Sequence, residues 1–340
     1  MTALAPSSPP HHDPLAGFIR SAAFLSGVEA ERIDGLCARI GVPRDPAGWR
    51  STLNNDGSPI QICLGLRPGT AVPAVRLIAD PHLGGQDAPS RSGQSRHALA
   101  QLAEWHAPDM TSLCTSVLEH IAPSGCGIPY LRDGGDAWLA AGIDGRGVAI
   151  YATTRWGDPA SRWARALAWL VGLSPTAAQA AATLTELAAH STLISVGVEG
   201  SNAGNARAKF YWRANGSAPL SQLGVSLLMH EALPAFLSDA TEGMATPVAA
   251  IVGSVGVTIA TGSLADVKLD LCGHCVPRSR VDWARRIEGY ARRYGMTAPP
   301  FMALGPDAPI AIAFVGLGID RDLQPRLNIY LKPMIRGGHR

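Results

Sequence analysis

The sequence predicts an α+β protein: one ten-stranded antiparallel β-barrel inside a ring of α-helices, assembled from five αββα repeats of about 60 residues. Three observations predict it. Tyr151, Tyr211, Asp270 and Tyr330 close similar strand-like segments and stand 59 or 60 residues apart, which marks an internal repeat. Five pairs of β-like runs alternate with helical stretches, and ten antiparallel strands joined this way can close on themselves and leave no exposed edge. The chain has 340 residues, 46% hydrophobic and 16% charged, enough for a large core in a single closed unit.

Taken in order, residues 1–14 are rich in Pro, Ser and His and read as a disordered tail without the basic and apolar regions of a signal peptide. One domain follows over residues 15–334, and residues 335–340 form a basic tail. Asp13 to Ile40 has helical spacing. Asn55-Asp56-Gly57-Ser58-Pro59 breaks the chain before the first hairpin, Ile60–Leu66 with Ala74–Ala79. Ser92 to Ile121 is helical with an interruption near Pro108, and Trp138–Ile143 pairs with Val148–Thr154 across Asp144-Gly145-Arg146-Gly147. Helices opened by Pro159 and Pro175 precede the third hairpin, Leu193–Glu199 with Ala206–Arg213. Leu220–Leu237 reads as a helix with Pro234 near its end, Val255–Ala260 and Ala265–Leu271 as the fourth hairpin, and Val281–Tyr294 as an arginine-rich amphipathic helix. Ile310–Leu317 and Leu327–Leu331 make the fifth hairpin.

Alternate residues of a strand share a face. In Arg207-Ala208-Lys209-Phe210-Tyr211-Trp212 this puts two cations and a phenol on one wall, with Phe210 and Trp212 opposite. The same count through the other second strands collects Arg76, Tyr151 with Arg155, Lys268 with Asp270, and Arg326 with Asn328 and Tyr330. Polar members of otherwise apolar strands belong in the lumen. Several cations there repel one another unless an anion joins them, so a polyanionic ligand such as a diphosphate is implied. The phenols can shelter a carbocation by their faces.

Asp56-Gly57-Ser58-Pro59-Ile60-Gln61, Val75-Arg76 and Arg207-x-Lys209-x-Tyr211, in that order within five hairpins, resemble the aromatic prenyltransferases of the ABBA (PT-barrel) type, in particular bacterial dimethylallyltryptophan synthase-like enzymes. The resemblance runs from about Asp56 to Pro333. It implies metal-independent transfer of a prenyl group from an allylic diphosphate, dimethylallyl or geranyl, to an indole or tryptophan acceptor, free or in a peptide. It further implies that Arg76, Arg207 and Lys209, joined by Lys268 and Arg326, hold the diphosphate, and that Tyr151, Tyr211 and Tyr330 form the shield. Three positions depart from the family pattern. Gln61 stands where a glutamate base is usual, Ala149 replaces a lysine for which Arg155 is a substitute on the same face, and Asp270 replaces a tyrosine. Asp270 and, in reserve, Glu199 are therefore candidate proton acceptors beside Gln61.

Other classes compete with this one. A non-catalytic barrel binding an anionic lipid or metabolite would use the same cations. No Asp-Asp-x-x-Asp cluster occurs, Asp133/Asp136 and Asp320/Asp322 being the nearest acidic pairs, so neither a required magnesium nor any other cofactor is expected. Cys272-Gly273-His274-Cys275 is spelled like an oxidoreductase dithiol but lacks a thioredoxin-like context, and with no second cysteine pair it reads as a poor zinc site. A net charge of +2 gives no basic field for nucleic acid, and Arg278, Arg280, Arg285, Arg286, Arg292 and Arg293 read as a solvated helix face. No apolar run reaches the roughly 20 residues of a membrane span, so the expected location is cytoplasmic.

Overall fold

Closure is achieved by β1 (Ile60–Leu66) pairing with both β2 (Ala74–Ala79) and β10 (Pro325–Pro333). Between them run β3 (Ala137–Gly142), β4 (Val148–Thr153), β5 (Ser191–Gly200), β6 (Arg207–Ala214), β7 (Ile251–Thr258), β8 (Leu264–Cys272) and β9 (Ile310–Asp320), all antiparallel. This computed structural model describes residues 13–82, 88–122, 137–145, 147–156, 158–216, 220–242 and 250–334; the stretches 1–12 and 335–340, and the Asp133/Asp136 pair, lie outside them.

The ring comprises α1 (Pro14–Ser26), α2 (Ala30–Ile40), α3 (Ala88–His106), α4 (Thr111–His120), α5 (Ser161–Leu173), α6 (Pro175–Ala178), α7 (Ala181–Ala189), α8 (Ala232–Thr241) and α9 (Arg280–Arg293). Their apolar residues pack on the outer barrel face. There Ile62, Leu64, Ile150, Val198, Phe210, Trp212, Leu269 and Leu317, all at most 1% exposed, join the helix side chains in one continuous core. Phe210 stacks on Trp163 of α5 with ring centroids 6.0 Å apart. On α9, Trp283, Ile287 and Tyr290 are buried, whereas Arg285, Arg292 and Arg293 are exposed. Arg293 and Arg286 of that helix pair with Asp239 and Glu242 at the end of α8, so the arginine-rich stretch also fastens one helix to its neighbour.

Where the chain departs from the periodicity, glycine and proline explain it. The helical run from Asp13 splits at Gly27, whose φ of 69° ends α1, while Asp13 caps the start by accepting from the Leu15 and Ala16 N–H groups. The stretch expected as a helix over Leu220–Leu237 is two 3-10 turns, broken at Gly224 (φ 67°), and then α8, in which Pro234 lies in the first turn and not near the end. Proline's missing N–H costs nothing there because the first-turn donors have no intrahelical partner. The fourth hairpin starts at Ile251, ahead of the expected Val255.

The register fixes the inner wall. Opposite the large lumen side chains stand glycines on the neighbouring strands: Gly197 faces Tyr151 and Lys209, Gly316 faces Asp270 and Asn328, and Gly318 faces Lys268 and Arg326. A Cβ on Gly197 would lie 2.6 Å from the Ile150 carbonyl oxygen and from the Tyr151 ring. Gly197→Ala is therefore expected to lower stability by about 1–3 kcal/mol, because backbone and not a flexible side chain would have to yield. Urea denaturation compared with an alanine at open Gly35, where nothing lies within 4 Å of the added Cβ, checks this.

Candidate active site

The repeat brings all five expected cations into one cavity of about 370 Å³, lined by Arg76 of β2, Arg207 and Lys209 of β6, Lys268 of β8 and Arg326 of β10. They do not stand unpaired. Glu199 of β5 accepts from Arg76 and Arg207, 2.6 Å each, with one carboxylate oxygen apiece. Asp266 of β8 accepts from Arg207 at 2.6 Å and Lys209 at 2.7 Å, and has Arg326 at 3.5 Å. Lys268 lies 2.5 Å from Asp270 and donates to the Tyr330 hydroxyl. The strand pattern held the signal for Asp266, which lies two residues before Lys268 on the same face, but the expected set of lumen residues began at Lys268.

Burial by itself would raise the carboxyl pKa of Glu199 and Asp266. Arg207, Lys209 and Arg76 around Glu199, and Lys209, Arg326 and Arg207 around Asp266, outweigh it and hold both below the usual carboxylate range. Glu199 is thus a counter-ion with little basicity, which weakens it as a proton acceptor. Burial also pushes the Tyr151 phenol up to about 12 and those of Tyr211 and Tyr330 well above their usual value, so the three remain neutral.

Those three tyrosines form a partition. Tyr151 and Tyr211 meet edge to face at 5.6 Å, Tyr330 packs on Phe314, and Tyr151, Tyr211 and Tyr330 line both the cation cavity and a second chamber of about 150 Å³. The Lys268 ammonium sits 4.8 Å from the Tyr330 ring centre and 5.8 Å from that of Tyr211, so these π faces already hold a positive charge.

The second chamber has a different chemistry. Gln61, Asp270, Trp138, Arg155 and Arg213 line it. Arg155 thus stands away from the five cations and does not replace the lysine expected at Ala149, which is itself buried. Asn54 donates to the Ser58 and Ile60 carbonyls, so its own oxygen must accept from Gln61 Nε2 at 2.8 Å. That pins the Gln61 amide with its Nε2 turned toward Asn54, leaving the carbonyl oxygen as its acceptor for a ligand. Three buried polar atoms around this chamber have no hydrogen-bond partner among the described residues: Asp270 Oδ1, Trp138 Nε1 and Arg213 Nε. Burying such groups without a partner is costly to the fold.

A second constellation, Ser95–His82–Asp80, has the order of a nucleophile, base and carboxylate, with Ser95 Oγ 3.1 Å from His82 Nε2. All three are buried, and the same Nε2 faces the Arg91 carbonyl at 2.6 Å, so its proton is directed there and not left to serve the serine. The three residues act as a structural clasp. Asp320, of the other acidic pair, accepts from the Asp322 and Gln324 N–H groups of its own turn.

No protein-family model matches the chain, and no curated protein matches it by sequence. Solved structures do. A closed ten-stranded antiparallel barrel with helices outside is the PT-barrel fold of the dimethylallyltryptophan synthases, and the chain has that fold. It is similar to 5-dimethylallyltryptophan synthase from Streptomyces coelicolor, with a TM-score of 0.77 at 18% identity over 94% of this chain and 96% of that one. It is also similar to 6-dimethylallyltryptophan synthase from Micromonospora olivasterospora, solved with DMASPP and Trp, at 0.74 and 16% over 94% and 96%. AnaPT from Neosartorya fischeri gives 0.68 and 13% over 97% and 96%.

The charge lattice predicts a pH dependence. A depressed carboxyl pKa contributes stability that is complete above the unfolded value of roughly 4 and is lost as pH falls through the folded value. Melting temperature should therefore hold from pH 7 to about 5 and decline below about 4. Glu199→Gln should be less stable at pH 7 by about 3 kcal/mol or more and show a shallower acid decline; thermal melts of both proteins across pH test it.

Proposed function

We propose that this protein is an aromatic prenyltransferase that joins the prenyl group of an allylic diphosphate, dimethylallyl or geranyl, to an indole or tryptophan-type acceptor, free or within a peptide. The observation that carries the reading is the tyrosine partition between a cation-lined cavity and a second chamber lined by Gln61, Asp270 and Trp138. The allylic C–O bond breaks with its electron pair leaving on diphosphate, whose charge Arg76, Arg207, Lys209, Lys268 and Arg326 stabilise. Tyr151, Tyr211 and Tyr330 shelter the allyl cation from water. The acceptor ring, held in the second chamber, attacks with its π electrons, and the displaced ring proton passes to Asp270, with Gln61 accepting the indole N–H. Arg155 and Arg213 suit an anionic substituent such as a carboxylate.

Arg76, Arg207, Lys209, Lys268 and Arg326 outnumber their partners Glu199, Asp266 and Asp270, a surplus of positive charge that suits donor binding without magnesium. The neighbours solved with DMASPP and Trp support donor and acceptor classes. Among the described residues no helix is long and apolar enough to cross a membrane, which is compatible with a cytoplasmic enzyme. The non-catalytic barrel would account for the cations but not for the pinned Gln61 or the unpaired Asp270 oxygen.

Incubation with dimethylallyl or geranyl diphosphate, EDTA and a panel of tryptophan, tryptophan peptides, indoles and phenols should give a prenyl mass gain on an indole that persists in EDTA and collapses in Lys209→Ala. Diphosphate binding without any acceptor gaining mass would favour the anion-binding barrel. Asp270→Asn should retain diphosphate affinity within a few fold while slowing product formation by about 10²–10⁴-fold, the range for removing a positioned proton acceptor; single-turnover kinetics distinguish this from weak binding.

A further inference from the structure

The turn following β8 gathers three potential metal ligands that the prenyl-transfer reading does not use. The ligand atoms of Cys272, His274 and Cys275 lie within 4.8 Å of one another, and Cys272 Sγ is 2.8 Å from His274 Nδ1. A zinc ion with bonds of about 2.0–2.3 Å would hold such atoms at separations under that limit, a change side-chain rotation supplies. The turn itself is held in place: a Cβ on Gly273 would lie 2.4 Å from the Ile312 carbonyl oxygen of β9, so the backbone between the ligands is pressed against the neighbouring strand. Cys272 is buried, Cys275 half-buried and His274 exposed, which gives an ion a path in from solvent.

We propose that Cys272, His274 and Cys275 bind one zinc ion, with the fourth coordination position open to water or another small ligand. Thiolate and imidazole donors select a borderline-soft ion over magnesium or calcium. On binding, both thiols lose their protons to solvent, so each zinc ion releases two protons and the filled site is neutral. Two cysteines alone make a poor zinc site; the fold adds His274 as the third donor.

Cys272 pairs in register with Phe314, which lines the second chamber. The zinc site does not depend on the assignment of prenyl transfer. Titration of the reduced full-length protein with Co²⁺, after thiol counting, should yield one ion per chain with a thiolate-to-cobalt charge-transfer band and tetrahedral visible bands, both abolished by one equivalent of Zn²⁺. Proton release into weak buffer should be two per zinc. Cys275→Ser and His274→Asn, both at accessible positions, should each weaken zinc by more than the ~10–100-fold typical of losing an outer-shell partner, whereas Cys63→Ser should leave the band intact. Absence of the charge-transfer band in protein with free thiols, or its undiminished survival in Cys275→Ser, would overturn the site; histidines elsewhere in the chain can bind cobalt but give no thiolate band.

Discussion

Five cationic side chains can be enclosed in one barrel only because carboxylates from neighbouring strands are interleaved with them. Glu199 ties Arg76 of β2 to Arg207 of β6, although the two strands are not adjacent, and Asp266 ties Arg207 and Lys209 of β6 to Arg326 of β10. Only the Glu199–Arg207 contact follows a ladder; the others join strands that are not neighbours, so they brace the inside of the wall as the apolar core braces the outside. They also tune the site. Removing water from this many charges is unfavourable, and the internal counter-ions offset that cost while leaving a positive surplus for a ligand.

The tyrosines sit at the boundary between two kinds of space. On one side are Arg76, Arg207, Lys209, Lys268 and Arg326; on the other are Trp138, Gln61 and Asp270, with Arg155 and Arg213. An arrangement that keeps the phenols neutral and presents them to both sides suits a reaction in which positive charge is created at one chamber and consumed at the other. Glycines make the room. Gly197, Gly316 and Gly318 occupy lumen positions where the opposite strand carries a large side chain, so the cavity is shaped as much by side chains that are missing as by those present. Asp270 depends on this directly, since a Cβ on Gly316 would fall 1.8 Å from its Oδ1.

Much of this was legible in the chain. The spacing of Tyr151, Tyr211, Asp270 and Tyr330 follows from one repeat unit per hairpin, and period-2 alternation assigned Arg207, Lys209 and Tyr211 to one face and Phe210 and Trp212 to the other. Both are local properties of a strand, determined by backbone geometry before any strand finds its neighbour. Helix limits were less legible where a glycine with positive φ, as at Gly27 and Gly224, interrupts an otherwise continuous apolar pattern.

Face and spacing, with the chemical types placed on the lumen wall, were therefore determined by the sequence alone. Which lumen groups touch was decided only by the tertiary structure. Glu199 meeting Arg76 across 123 positions, Asp266 meeting Lys209 across 57, and Arg155 falling in the second chamber depend on register and barrel closure. The physical reason is that a strand carries the direction of its side chains in its own backbone, whereas the distance between charges on different strands exists only once every ladder has closed.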